Sequence, residues 1–226
     1  MKTSNKILLS LFVLPFIIIL FVYASLYAKY KNGEYITEQQ VENERSALTI
    51  VDHFTEIDLG GFKRGHISIK HSDSFAIRVD NWNKDQIQFQ SEAGVLTLRS
   101  KNQHGYLPVT VYCPGFIKLS IDSANAEIDP VALTGATMNI GAEGDVTFNG
   151  SADSLTVNVK RSGAITLGST ADVKWLNLQL ADGSRFNNEQ GSIQQIGNLL
   201  LEDSATLNVN GKTMRMIAEK NNPLKY

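Results

Sequence analysis

Residues 155–186 read LTVNVKRSGAITLGSTADVKWLNLQLADGSRF. Residues 155–159 and 176–180 both place an apolar side chain at every second position. Each run is followed by a turn of small and polar residues and then by a second short strand-like piece, Gly163–Leu167 and Gly183–Phe186. Alternation with period two is the pattern of a half-buried strand, and Gly, Ser and Asp between the runs are turn residues. The unit recurs on both sides of this stretch. FIKLSID, ATMNIGAEG, SLTVNVKRSG, WLNLQLADGS and NLLLEDSA open five such units, aligned here on Ile117, Thr137, Leu155, Leu176 and Leu199. The spacings are 20, 18, 21 and 23 residues. A period near 20 with two or three short strands per unit predicts one rung of a parallel β-helix. One rung cannot bury its own inward face, so stacked rungs must share an apolar column. Five rungs at ~4.8 Å would rise about 24 Å. A β-sandwich accounts for the first half of the chain equally well, but less well for the repeat.

Upstream, LTIVD, HISIK, FAIRV, QIQFQ, VLTLR and VTVY also alternate. They are separated by Gly60-Gly61, residues 71–74, 81–85 and 101–105, all read as turns. No helical stripe longer than a couple of turns follows residue 47, so the expected fold is all-β over residues 47–217. The expected boundaries are a membrane segment at 1–28, a polar tether at 29–46, and a charged tail with Pro223 at 218–226. Whether residues 47–113 form a separate cap is open at this level.

The membrane segment rests on ILLSLFVLPFIIILFVYASLYA, residues 7–28, which holds no charge. As a helix its 22 residues would span about 33 Å, enough for a hydrocarbon core of ~30 Å. A cleaved signal peptide would have an apolar run of ~7–15 residues and a small-x-small ending. This run is longer and ends Leu26-Tyr27-Ala28, which favours an uncleaved anchor; Val22-Tyr23-Ala24 is the alternative cleavage site. Lys2, Lys6 and the amino terminus precede it and Lys29 and Lys31 follow, a bias that puts the amino terminus in the cytoplasm.

Composition narrows the function. With 21 basic and 23 acidic residues the net charge is -2, and no basic field is available for a nucleic acid. The single cysteine, Cys113, allows neither an intrachain disulfide nor a cysteine zinc site. No nucleophile elbow, P-loop, H-E-x-x-H or dinucleotide fingerprint is present. His53, His66, His71 and His104 read as surface residues. Acidic residues near turns, Asp122 to Asp203, do not repeat at one rung position as a calcium ladder would require. A polysaccharide lyase is therefore the weaker enzymatic alternative. No catalytic, cofactor-binding or metal residue is nominated, and no cofactor is expected. The frequent asparagines of the repeat suit amide ladders inside a β-helix and also left-handed turn positions, both structural roles. The residues best suited to a contact surface are Trp82, Tyr106, Trp175 and Phe186, with Tyr112 beside them.

The order VDHFTEIDLGG, GHISIKHSDSFAIRVDN, GVLTLRSKN, LPVTVYCPGFIKLSIDSANAEI and GDVTFNGSADSLTVNVKRSGAIT resembles the head GIN domain of auto-transporter adhesins, over residues 46 to about 217. The family's small-residue turns have counterparts at residues 142–145, 161–164 and 181–184. The resemblance implies export and a right-handed parallel β-helix behind a β-rich opening. Periplasmic or extracellular display of the head follows from it. The family's biochemical role is largely unassigned. A rigid stack with a long flat face and nothing arranged for proton transfer favours a non-catalytic role in binding, adhesion or envelope organisation, with an envelope protein, a glycan or a second copy as partner. The rival is a self-assembling scaffold, similar to bactofilins in its short β-helical repeat.

Overall fold

The computed structural model describes residues 3–33, 45–101, 106–188 and 190–220. The chain divides into two compact units, residues 1–44 and 45–226. In the first, helix α1 (Thr3–Lys31) is 29 residues long and contains Pro15. Its side chains from Val13 onward are exposed, and the stretch Val13–Lys31 is long and apolar enough to cross a membrane. Length and composition suit either an anchor or a signal sequence. The expected tether falls largely on residues 34–44, which lie outside the described residues, as do His104 and 221–226 of the expected tail.

The second unit is one mixed sheet of 15 strands: β1 Ser46–Ile50, β2 Glu56–His71, β3 Ala76–Asp80, β4 Ile87–Glu92, β5 Val95–Ser100, β6 Leu107–Cys113, β7 Lys118–Asp129, β8 Ala132–Ile140, β9 Asp145–Phe148, β10 Ser151–Val159, β11 Ala164–Leu167, β12 Asp172–Leu180, β13 Arg185–Asn188, β14 Ser192–Leu201 and β15 Thr206–Val209. From β7 onward every pairing is parallel and joins residues 19–21 apart, for example Val157 with Met138 and with Leu178. β7 pairs with β8 through its first half and with β9 through its second, so two ladders run side by side down five tiers.

This register corrects the alignment read from sequence. Thr137 stands opposite Thr156, not Leu155, and Leu199 opposite Leu178, because a bulge after Leu176 adds a residue to β14. A one-residue slip would turn every inward side chain outward, so burial sets the register. Inward positions then line up tier on tier. Leu96, Ile57, Leu119, Met138, Val157, Leu178 and Leu199 form one column. Val109, Ile67, Ala126, Val146, Ile165, Phe186 and Leu207 form another. All are buried except Leu199 and Leu207 in the last tier, which are half-buried. Each such side chain contributes roughly 1.5–3 kcal/mol when fully buried. The amide ladders exist, but on the outside: Asn158 Nδ2 donates to Asn139 Oδ1 (3.0 Å), and Asn208 Nδ2 to Asn187 Oδ1 (3.2 Å). Asn188 is the inward exception: it is fully buried at the end of β13, its Nδ2 donates to Thr213 Oγ1 (3.5 Å), and its Oδ1 has no partner among the described residues.

The first half is not detached from this stack. β2 runs parallel to β7, and also to β5 with its first half and to β6 with its second. It carries both columns upward by one more tier. Gly60-Gly61, read as a turn, lies inside β2 at an irregularity in its pairing. Arg99 crosses there to Asp58 (Nη2–Oδ2 2.8 Å), and a Cβ on Gly61 would collide with Arg99 Cδ. The glycines clear a path for the ion pair instead of reversing the chain. Antiparallel ribbons β1–β3–β6 and β4–β5 finish this end.

At the other end residues 211–217, expected to belong to the all-β head, form a short helix with the first residues of the expected tail, α2 (Gly211–Lys220). Asn210 caps it: its Oδ1 accepts from Thr213 N (3.0 Å) and Thr213 Oγ1 (3.0 Å). Met216 packs against the core and Thr213 is buried, so α2 covers part of the last tier. With fewer than three turns, it shows too little periodicity to stand out in the sequence.

Three outcomes follow. Phe148 is wholly buried, so Phe148→Ala should cost about 3–5 kcal/mol in urea unfolding; a loss below about 1 kcal/mol would show that the column does not carry stability. Ser162 has φ 63° at the turn position where the next tier has Gly183 at 70°. Ser162→Gly should therefore raise stability by up to about 1 kcal/mol, read as a higher urea midpoint. Burial pushes the Cys113 thiol up to about 11, outweighing the backbone hydrogen bond from Gly115. At pH 8 only about one molecule in a thousand is then thiolate, so a thiol reagent should modify native protein far more slowly than unfolded protein.

Candidate functional site

The four proposed contact residues separate. Phe186 is 1% exposed in the second column, so it is a core residue and the contact role does not fit it. In sequence it sits like an outward residue, after Gly183-Ser184-Arg185, and only the register sends it inward. Trp82 is 88% exposed in the turn after β3. Tyr106 precedes β6, with its ring stacked on His66 at 6.3 Å between centroids. His66 in turn lies 3.6 Å from Glu127. Tyr112 is half-buried beneath the Arg78 guanidinium, 5.4 Å from its ring centre. Trp175 is on β12, at a different place in the sheet.

Trp175 is the one with a built surrounding. In each of the four tiers from β8 to β14 the alternation slips once, and two successive residues face out: Thr134-Gly135, Asp153-Ser154, Lys174-Trp175 and Gln194-Gln195. Two grooves flank this column of slips. One, of about 260 Å³, is lined by Leu133, Thr134, Ser151, Asp153, Asp172 and Lys174. Lys174 Nζ lies 2.7 Å from Asp153 Oδ1. That hydrogen bond and the carboxylate charge hold the ammonium above its ordinary pKa, so the groove's cation is already matched.

The other groove, about 360 Å³, is lined by Trp175, Gln194, Gln195, Ile196, Met216 and Glu219. Three local features build it. The bulge after Leu176 lets Gly197 and Asn198 oppose Asn177. Gly197 then lies beside the indole nitrogen: a Cβ there would collide with Trp175 Nε1 and Asn177 Oδ1 and sit 2.6 Å from Cε2. Asn177 Oδ1 accepts from Trp175 Nε1 (3.3 Å) and from the Asn198 N–H (2.9 Å), while its Nδ2 donates to Thr156 Oγ1 (3.4 Å). The ring is laid across the neighbouring tier, tied at its polar edge, and still 44% exposed. From α2, Met216 and Glu219 are three residues apart and reach the same groove. Chemically this is an aromatic floor, an apolar wall, two primary amides and one carboxylate.

Sequence alone reached Trp175 but not its neighbours. Gln195 stands opposite Trp175, 20 residues on, but the alignment through Leu176 and Leu199 hid it. Met216 and Glu219 were not legible, because α2 was not expected: Met216 fell in the region read as all-β and Glu219 in the expected tail. Among the described residues no three His, Cys, Asp or Glu side chains come together as a metal site.

No curated protein matches the chain. Solved structures do. A "putative adhesin" from Bacteroides fragilis matches with a TM-score of 0.50 and 14% identity, covering 72% of this chain and 95% of its own. That likeness shows a shared fold. A "putative adhesin" from Parabacteroides merdae is 12% identical with TM-score 0.46, over 67% of this chain and 75% of its own. A "putative lipid binding protein" from Parabacteroides distasonis is 13% identical with TM-score 0.44, over 74% and 94%. The family model described as "putative auto-transporter adhesin, head GIN domain" matches residues 53–212, nearly all of the β unit, and the chain belongs to that family.

Proposed function

We propose that this protein is a non-catalytic binding head held outside the cytoplasm by α1 as an uncleaved anchor. In this reading the amino terminus is cytoplasmic and the head is periplasmic or extracellular. Its two parallel ladders wind as a right-handed parallel β-helix whose outer faces do the binding. The observation that carries the reading is one chain joining a span-length apolar helix to an adhesin-family head. A sheet stacked in register gives a stiff face, which loses little conformational entropy on binding. The described part of the chain after α1 offers no other segment long and apolar enough to span.

A second reading, end-to-end assembly, is favoured by the open sheet edges. The sheet path begins at β1, where Leu48 and Ile50 are exposed, and ends at β14, where Leu200 and Leu201 are exposed. Unpaired edges with apolar side chains template strand addition. Filaments seen by electron microscopy at micromolar concentration would support assembly; monodisperse particles would reject it.

The main reading is tested by protease accessibility of the head in the host, combined with the mass of the amino terminus. An intact amino terminus, and a head cut without breaching the plasma membrane, are expected. A chain starting near Ser25 or Lys29 would overturn the anchor. A head protected until the plasma membrane is breached would overturn export.

A further inference from the structure

The geometry points to the Trp175 groove as a subsite for a neutral, β-linked pyranose with equatorial hydroxyls, such as a glucose or N-acetylglucosamine unit of a glycan. The inference deepens the binding role proposed above and rests on it. It begins with the indole. Gly197 against its nitrogen edge and the bond from Nε1 to Asn177 Oδ1 hold the ring in place before any ligand arrives. The residue as a whole stays 44% exposed. A preorganised flat π-surface favours a partner that is itself flat and carries slightly positive C–H groups. The axial C–H face of a gluco-configured ring is such a partner, because all its hydroxyls point outward around the rim. An axial hydroxyl on that face would hold the sugar off the indole.

The rim then requires hydrogen-bonding groups around the aromatic floor, and the groove supplies them. Gln194 and Gln195 are exposed, and each amide offers both donors and an acceptor, matching the mixed character of sugar hydroxyls. Glu219 adds an acceptor with a full charge, which strengthens hydroxyl bonds and repels anionic sugars. Uronates and sialic acids are therefore disfavoured, and the carboxylate selects neutral or amino sugars. Met216 and Ile196 close the apolar side, where a ring C–H edge or an N-acetyl methyl group packs without a polar cost. The volume of about 360 Å³ is at the small end of ligand sites, ~300–1,000 Å³, which suits one or a few sugar rings in an open groove. The other exposed tryptophan, Trp82, lines neither of the two grooves and serves as a control.

The test uses the full chain in a zwitterionic detergent without a sugar headgroup. The protein has two tryptophans, so Trp82→Phe leaves Trp175 as the sole indole reporter. Titration with cellotriose and with chitotriose should change its fluorescence saturably, with a dissociation constant of roughly 0.1–1 mM. Trigalacturonate should not. By calorimetry or saturation-transfer NMR, Trp175→Ala should weaken binding at least about tenfold, and Trp175→Phe far less. Should Trp175→Ala disturb the fold by circular dichroism, Gly197→Ala and Glu219→Gln carry the test. Gly197→Ala displaces the indole and the Asn177 amide that holds it and should lose the neutral sugars. Glu219→Gln should keep them and gain the uronate. Absence of saturable binding to either neutral trimer, or equal binding by Trp175→Ala, overturns the subsite. Those results leave the protease and mass measurements untouched, so failure of the sugar site and failure of the anchored-head reading are told apart.

Discussion

The structure depends on parallel pairing in register between tiers 19–21 residues apart. A single tier presents a few inward apolar side chains to nothing, which cannot offset the entropy of ordering the tier. Stacked, the same residues become columns in which each side chain is covered above and below. β2 matters most for continuity, because its pairing with β7 joins the antiparallel opening to the repeat. The cost falls at the ends. In the last tier Leu199 and Leu207 are half-buried and Leu201 is exposed, and α2 covers only part of the opening.

Much of this was legible in the sequence, for a physical reason. Strand alternation and turn chemistry are local, so the six upstream runs and the second strand of every unit appear where they were expected, from Ala126–Asp129 to Ala205–Val209. Register is not local. The alignment through Leu155 and Leu199 slipped because apolar residues at successive outward and inward places look alike until a neighbouring tier selects one set. Gly60-Gly61 misled for a related reason. Two glycines usually break a strand, but here they make way for Arg99, which lies 39 and 38 positions further along the chain. Phe186 and α2 complete the pattern: in both, the deciding contact is with another tier.

The candidate site follows from the same constraint. The bulge after Leu176 is a defect in the ladder, and Gly197 sits in it. Together they let an outward tryptophan lie across the next tier where it would otherwise stand away from the sheet. Rigidity of the stack therefore passes to the side chain that faces solvent. Family membership places this surface on an adhesin-type head, and α1 supplies a segment with the length and composition of a membrane span. The binding reading needs only these two features and a stiff outer face.

The most direct test of the account is a disulfide drawn across the tiers. Asn139 and Asn158 face each other outward on adjacent parallel strands, and neighbouring strands lie ~4.8 Å apart, within reach of a disulfide. Asn139 and Thr156 are out of register by two residues and too far apart to bridge. The account predicts that the Asn139→Cys/Asn158→Cys variant crosslinks within one chain on mild oxidation, with Cys113 unreactive, and that Asn139→Cys/Thr156→Cys does not. Crosslinking of the second pair in preference to the first would contradict the register, and with it the columns, the bulge and the platform built on them.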